Sequence, residues 1–237
     1  MALKEELRKE VERIHQTFIK KRQFSAAIED LEHLKEQYGM DDVLAYYLGL
    51  CYANIGKREE AKRYLGLINK SKQLTLIQQM QTWMLLGYIA TEEGNFPVAE
   101  EYLKRVIETN PQSSMAYSSL GYVYFEMKRY DQAILHFRKA IQLNPNNAGA
   151  HNNLGYTYAE LGINLGEAIA ECRKALQLSP KSAAYYDSLG WAYYMAEDYE
   201  NAVIYLQKAL DYASPQQKTL ITEHLQRAYK KRDQGKR

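Results

Sequence analysis

The feature that most constrains this chain is a spacing that returns about every 34 residues. It is clearest over 114–147, SMAYSSLGYVYFEMKRYDQAILHFRKAIQLNPNN, which reads as a helix, a tight turn at Met127-Lys128-Arg129, and a second helix stopped by Pro145. With Ser114 as position 1, the units tile as 8–41, 42–75, 80–113, 114–147, 148–182 and 183–216. Four extra residues, 76–79, precede the third unit, and one extra residue sits in the turn 162–166 of the fifth. A period of this length predicts a row of like helical units, each burying its apolar face against its neighbours.

The matches are dense. Position 7 reads Ile14, Leu48, Leu86, Leu120, Leu154 and Leu189; position 8 is Gly49, Gly87, Gly121, Gly155 and Gly190, with His15 departing. Position 20 is alanine throughout: Ala27, Ala61, Ala99, Ala133, Ala168 and Ala202. Position 24 reads Leu31, Leu65, Leu103, Phe137, Cys172 and Leu206. Positions 4, 7, 8 and 11 share one face of the first helix, and 20, 24 and 27 one face of the second. Glycine at 8 and alanine at 20 remove bulk where two antiparallel helices must approach. Because glycine costs a helix roughly 1 kcal/mol against alanine, its use in five units argues for packing. Pro111, Pro145 and Pro180 end second helices, since proline has no N–H for the ladder, and Pro215 comes one residue late. Asn147 and Ser182 suit the following N-caps.

On these residues the chain resembles the tetratricopeptide repeat, whose pattern is W-x2-L-G-x2-Y … A-x3-F … P. Residues 114–147 look like a consensus member with tyrosine in the tryptophan place. The resemblance covers 42–216 well and 8–41 weakly. It implies an all-α fold: one domain, a right-handed superhelical solenoid of helix–turn–helix repeats with a concave inner groove.

Both ends read as solenoid ends. Leu3, Leu7, Val11, Ile14 and Phe18 form a stripe on an otherwise charged helix, suiting a cap with one wet face. After Pro215, Leu220, Ile221, Leu225, Ala228 and Tyr229 recur at helical spacing opposite Lys218, Glu223 and Arg227, which predicts a capping helix over 216–232. Residues 233–237 are expected to fray.

The 237 residues carry a formal net charge of +2, unevenly placed. Residues 217–237 hold seven Lys/Arg against Glu223 and Asp233, a net +5, leaving 24 against 27, or −3, elsewhere. An acidic body with a basic tail does not match a nucleic-acid binder, which concentrates cations along one face. A terminal charge run reads first as a solvated one. No run approaches the roughly 18 apolar residues of a membrane span. The opening MALKEELRKEVERIH lacks the apolar core of a signal peptide. With only Cys51 and Cys172, these features lead us to expect a reducing, cytoplasmic setting.

A search for chemistry returns little. The five histidines show no metal-ligand spacing, and His151 and Cys172 fall at packing positions. No phosphate-binding glycine loop or nucleophile motif is present. The expectation is a non-enzymatic protein without catalytic residues, cofactor or metal.

The resemblance places positions 2, 5, 9, 12 and 13 of each first helix on the groove wall. Position 9 then supplies Tyr88, Tyr122, Tyr156 and Trp191, position 12 Phe125 and Tyr194, position 5 Asn152, and position 13 Glu92, Glu126 and Glu160; Asn153 stands beside Asn152 at position 6, which some family members also use for binding. Aromatics offer large contact area with a polar tip at modest entropy cost. Two readings of this ladder stand: a binding row bordered by carboxylates, or packing between repeats. Family members that capture acidic chaperone tails use Lys, Arg and Asn at positions 2, 5, 6 and 9; over 42–216 those positions are nearly free of cations. The expected role is therefore a scaffold or adaptor holding a neutral or basic peptide of a partner protein. The alternative is self-assembly into homo-oligomers.

Overall fold

The computed structural model describes residues 2–234. Among them are thirteen α-helices and one π-helical turn. Contacts gather the chain into two compact units, Met1–Pro111 and Gln112–Arg237.

The first unit holds α1 (Ala2–Ile14), the π turn His15–Ile19, α2 (Phe24–Tyr38), α3 (Asp42–Asn54), α4 (Arg58–Leu67), α5 (Leu76–Glu92) and α6 (Phe96–Thr109). Leu7, Val11 and Ile14 are buried; the side chain of Leu3 lies outside those described. His15 stands where the other units have glycine, and there the α-helix gives way to the wider π turn. The four extra residues before the third unit lengthen α5 to 17 residues. Thr75 caps it in a reciprocal pair with Gln78, each side chain meeting the other's backbone N–H, which satisfies two otherwise orphaned donors.

The second unit holds α7 (Ser114–Glu126), α8 (Tyr130–Leu143), α9 (Ala148–Leu161), α10 (Leu165–Leu178), α11 (Ala183–Met195), α12 (Tyr199–Tyr212) and α13 (Pro215–Gln234). Its helices pack in pairs, α7 with α8, α9 with α10 and α11 with α12, and α13 closes the row against α12 and α11. Asp233 and Gln234, expected to fray, belong to α13, while 235–237 lie outside the described residues.

First and second helices bury themselves differently, and the sequence shows why. α9 and α11 are lined by buried residues on most sides, being packed between a partner helix and the next repeat. α8 and α10 bury single stripes, Ala133–Phe137–Ala140 and Ala168–Cys172–Ala175, with polar residues opposite, as surface helices do. A Cβ added to Gly155 would lie 2.6 Å from Cys172 Sγ and 2.7 Å from the Ala168 carbonyl oxygen. That approach leaves room for no side chain.

Second helices stop ahead of the prolines: α8 ends at Leu143 before Pro145, and α10 at Leu178 before Pro180, because the residue preceding proline is pushed out of the helical region. Ser113, Asn147 and Ser182 cap the helices that follow, each side-chain oxygen accepting a backbone N–H.

Candidate peptide-binding site

In the second unit a polar latch sets the spacing of the first helices. The Ser114 hydroxyl donates to the Ala140 carbonyl at 2.8 Å, and Asn147 Nδ2 donates to the same hydroxyl oxygen at 2.8 Å. The start of α7, the end of α8 and the cap of α9 are thereby tied at one point. Further along, α7 and α9 present position 9 and position 12 residues side by side. Phe125 meets Tyr156 edge-on, ring centroids 5.8 Å apart, and meets Tyr130 at 5.7 Å in the same manner, an arrangement aromatic quadrupoles favour.

Between these rings lies a cavity of about 280 Å³. Tyr122, Phe125, Glu126, Asn153 and Tyr156 line it, with Phe137 and Thr157 from the packed interior and Leu220 from α13. Five residues singled out in sequence thus converge on one hollow. Tyr122 is 40% exposed, and Phe125, Asn153 and Tyr156 are half-buried. Burial first, then the nearby carboxylates of Glu160, Asp187 and Glu126, push the Tyr156 hydroxyl well above the usual phenol range. The hydroxyl stays protonated and sits in a negative field.

The remaining residues do not line this hollow. Asn152 is buried, its Nδ2 donating to Asn153 Oδ1 at 3.4 Å and its own Oδ1 without a partner. Trp191 is only 7% exposed because α13 covers it: the His224 ring stacks on the indole, and the Arg227 guanidinium lies over it at 5.8 Å. Tyr194 stacks against Trp191 at 5.0 Å. Of the carboxylates, Glu160 accepts the indole N–H of Trp191 at 3.1 Å, and Glu126 has no ion-pair partner among the described residues. Tyr88 and Glu92 belong to the first unit, on α5. There Tyr88 is 57% exposed and Glu92 pairs with Arg58 at 2.7 Å.

Leu220 was not singled out for this site. It was legible only as one apolar residue of an amphipathic helix outside the repeat period. His151, at a packing position, is buried; its Nδ1 meets a Glu171 carboxylate oxygen and its Nε2 the Pro145 carbonyl at 3.0 Å. Cys172 is buried and free, and burial raises its thiol far above the ordinary range. Such a thiol is unreactive. Among the described residues no group of three or more His, Cys, Asp or Glu could hold a metal ion.

Models of the tetratricopeptide repeat match residues 42–70, 81–113, 102–134, 121–162, 148–182 and 166–218. The chain belongs to the tetratricopeptide repeat family. Several solved structures resemble it in three dimensions. A crystal structure of MamA protein is 27% identical over 72% of this chain and 91% of its own, with a TM-score of 0.57. MamA from Desulfovibrio magneticus RS-1 is 22% identical over 72% of this chain and 94% of its own, at 0.59. The hetero-tetramer Cut9-Hcn1 of APC/C provides a chain 19% identical over 95% of this one and 46% of its own, at 0.75. No curated protein matches in sequence. Tetratricopeptide repeats are protein-interaction scaffolds, whose stacked repeats offer extended binding surfaces. Among the described residues no helix is long and apolar enough to cross a membrane.

Proposed function

We propose that this chain is a non-enzymatic, cytoplasmic adaptor that holds a peptide segment of a partner protein on the first-helix face of its second unit. The observation that carries this reading is the cavity between Tyr122, Phe125 and Tyr156, with Asn153 and Glu126 at its edge. Aromatic walls take up an apolar side chain, an amide can bond a peptide group, and a carboxylate without an ion-pair partner favours a neutral or basic ligand.

The test is the double variant Tyr122→Ala/Tyr156→Ala. Partner capture should weaken at least tenfold, as expected when two interface aromatics are truncated, while far-UV circular dichroism and melting temperature stay close to wild type. A large loss of stability would assign both rings to packing between repeats. Sedimentation over a concentration series gives the competing outcome: a mass that rises with concentration and is abolished in the double variant would make the occupant a second copy of this chain.

A further inference from the structure

The C-terminal helix does more than close the stack. Leu220, His224 and Arg227 recur at intervals of four and three and therefore share one face of α13. His224 and Arg227 lie on Trp191, and His224 Nδ1 meets Asp187 Oδ1 at 2.9 Å. Ile221, Leu225 and Ala228 are buried on another side, and Gln207 donates to the Tyr229 hydroxyl at 2.6 Å. Held in this way, the helix carries the same stripe past Trp191 to Leu220, which is 53% exposed and faces the cavity shared by Tyr122 and Tyr156.

We infer that α13 is the outer wall of the binding site, and that the cavity takes an apolar side chain of a partner peptide with a lysine or arginine beside it. This rests on the binding reading above and adds to it a residue outside the repeats. At about 280 Å³, the hollow stands at the small end of the roughly 300–1,000 Å³ of ordinary small-molecule pockets, and suits one side chain of a longer ligand. The charge follows from the lining. Glu126 is its only carboxylate, no lysine or arginine lines it, and Glu126 has no ion-pair partner among the described residues. One step along the row, α13 itself lays a guanidinium over an aromatic ring. The protein already satisfies Trp191 with an apolar-to-basic helix face, and a partner would continue that pattern over Tyr156 and Tyr122.

A phage-displayed library of random linear peptides selected on the full chain tests this. The enriched peptide, made with a fluorescent label, is titrated against wild type, Leu220→Ala, Leu220→Asp, Glu126→Gln and the double tyrosine variant, with circular dichroism on each. We expect enrichment of an apolar residue near Lys or Arg, and a loss of about tenfold or more in Leu220→Asp, with a smaller loss in Leu220→Ala and in Glu126→Gln. A peptide that depends on the two tyrosines but binds both Leu220 variants as wild type would overturn the role of α13 and leave the binding face standing. Enrichment of acidic peptides would overturn the charge assignment. No enrichment, or a peptide indifferent to the tyrosines, would count against the binding face itself.

Discussion

The imidazole of His224 lies against the indole of Trp191, ring centroids 4.5 Å apart and planes inclined by 25°, while its Nδ1 meets the Asp187 carboxylate at 2.9 Å. Both members of the polar pair are buried. One contact therefore supplies stacking, a hydrogen bond and the docking of α13 on α11. Removing the ring leaves a buried carboxylate without its partner, the costly half of any hydrogen-bond deletion. His224→Ala should lower stability by about 2 kcal/mol, and Asp187→Ala by a similar amount. The double variant should fall short of the sum, as residues in contact do. Chemical denaturation followed by tryptophan fluorescence measures this, with a red shift on loss of α13 because Trp191 becomes wet. Additive losses would separate the two residues energetically.

The pairs of helices were legible because packing wrote them six times over. Gly121 opposite Phe137 and Gly155 opposite Cys172 are sequence regularities that turn out to be contacts. The site was legible in part. Tyr122, Phe125, Glu126, Asn153 and Tyr156 follow from position within the repeat, and they converge. Trp191 shows where position stops being enough: its place in the repeat matches Tyr156, yet it is covered because α13 lies outside the period. The same helix hid Leu220. An apolar stripe of Leu220, Ile221, Leu225 and Ala228 does not by itself say which member stays exposed. The engagement of Glu92 by Arg58 was also invisible, since two exposed charges 34 residues apart meet only through the stacking of α4 and α5.

The helix-contact glycines should not be equivalent. At Gly155 a methyl group would meet the Ala168 carbonyl oxygen at 2.7 Å and backbone nitrogen of Cys172 at 3.0 Å, neither of which can rotate away. At Gly87 its nearest neighbours are Leu103 side-chain carbons at 3.1 and 3.3 Å. Alanine gains roughly 1 kcal/mol in helix propensity at either site. Gly155→Ala should nevertheless destabilise by about 1–3 kcal/mol through overpacking, while Gly87→Ala should be near neutral. Thermal melts of the two variants decide it, and equal losses would show that α9 and α10 can slide apart.

The turns inside the repeats carry a measurable strain. Gly56, Gly94 and Gly162 hold positive φ of 77°, 72° and 65°, and the equivalent positions in other units are Arg22, Lys128 and Glu197 at 60°, 59° and 62°. A side chain in this left-handed region costs roughly 1–2 kcal/mol, which glycine avoids at some loss of chain entropy. Lys128→Gly should therefore raise stability by about 0.5–1 kcal/mol. Gly94→Ala should lower it by about 1 kcal/mol, although nothing lies within 4 Å of the added methyl. A melt of Lys128→Gly below wild type would mean the lysine side chain contributes more than its backbone costs.

In the first unit Glu32 accepts hydrogen bonds from Tyr64 at 2.8 Å and Tyr52 at 3.0 Å, and pairs with Lys35. Burial opposes its ionisation, but the donors Lys35, Tyr64 and Tyr52 prevail and hold its carboxyl below the usual range. A depressed acid contributes stability that is present above its unfolded value, about 4.3, and is lost as pH falls through the folded one. Tyr52 has the opposite sign. Burial, then the hydrogen bond to Glu32 and the charge behind it, push its hydroxyl up to about 12, against about 10 in an unfolded chain. Its contribution is complete below about pH 10 and disappears as pH climbs toward 12. Denaturation of wild type and Tyr52→Phe from about pH 7 upward should show a constant advantage for wild type to about pH 10, then a narrowing gap, because phenylalanine has no proton to lose. A gap that stays constant to pH 12 would remove the hydroxyl–carboxylate contact as the source of that advantage.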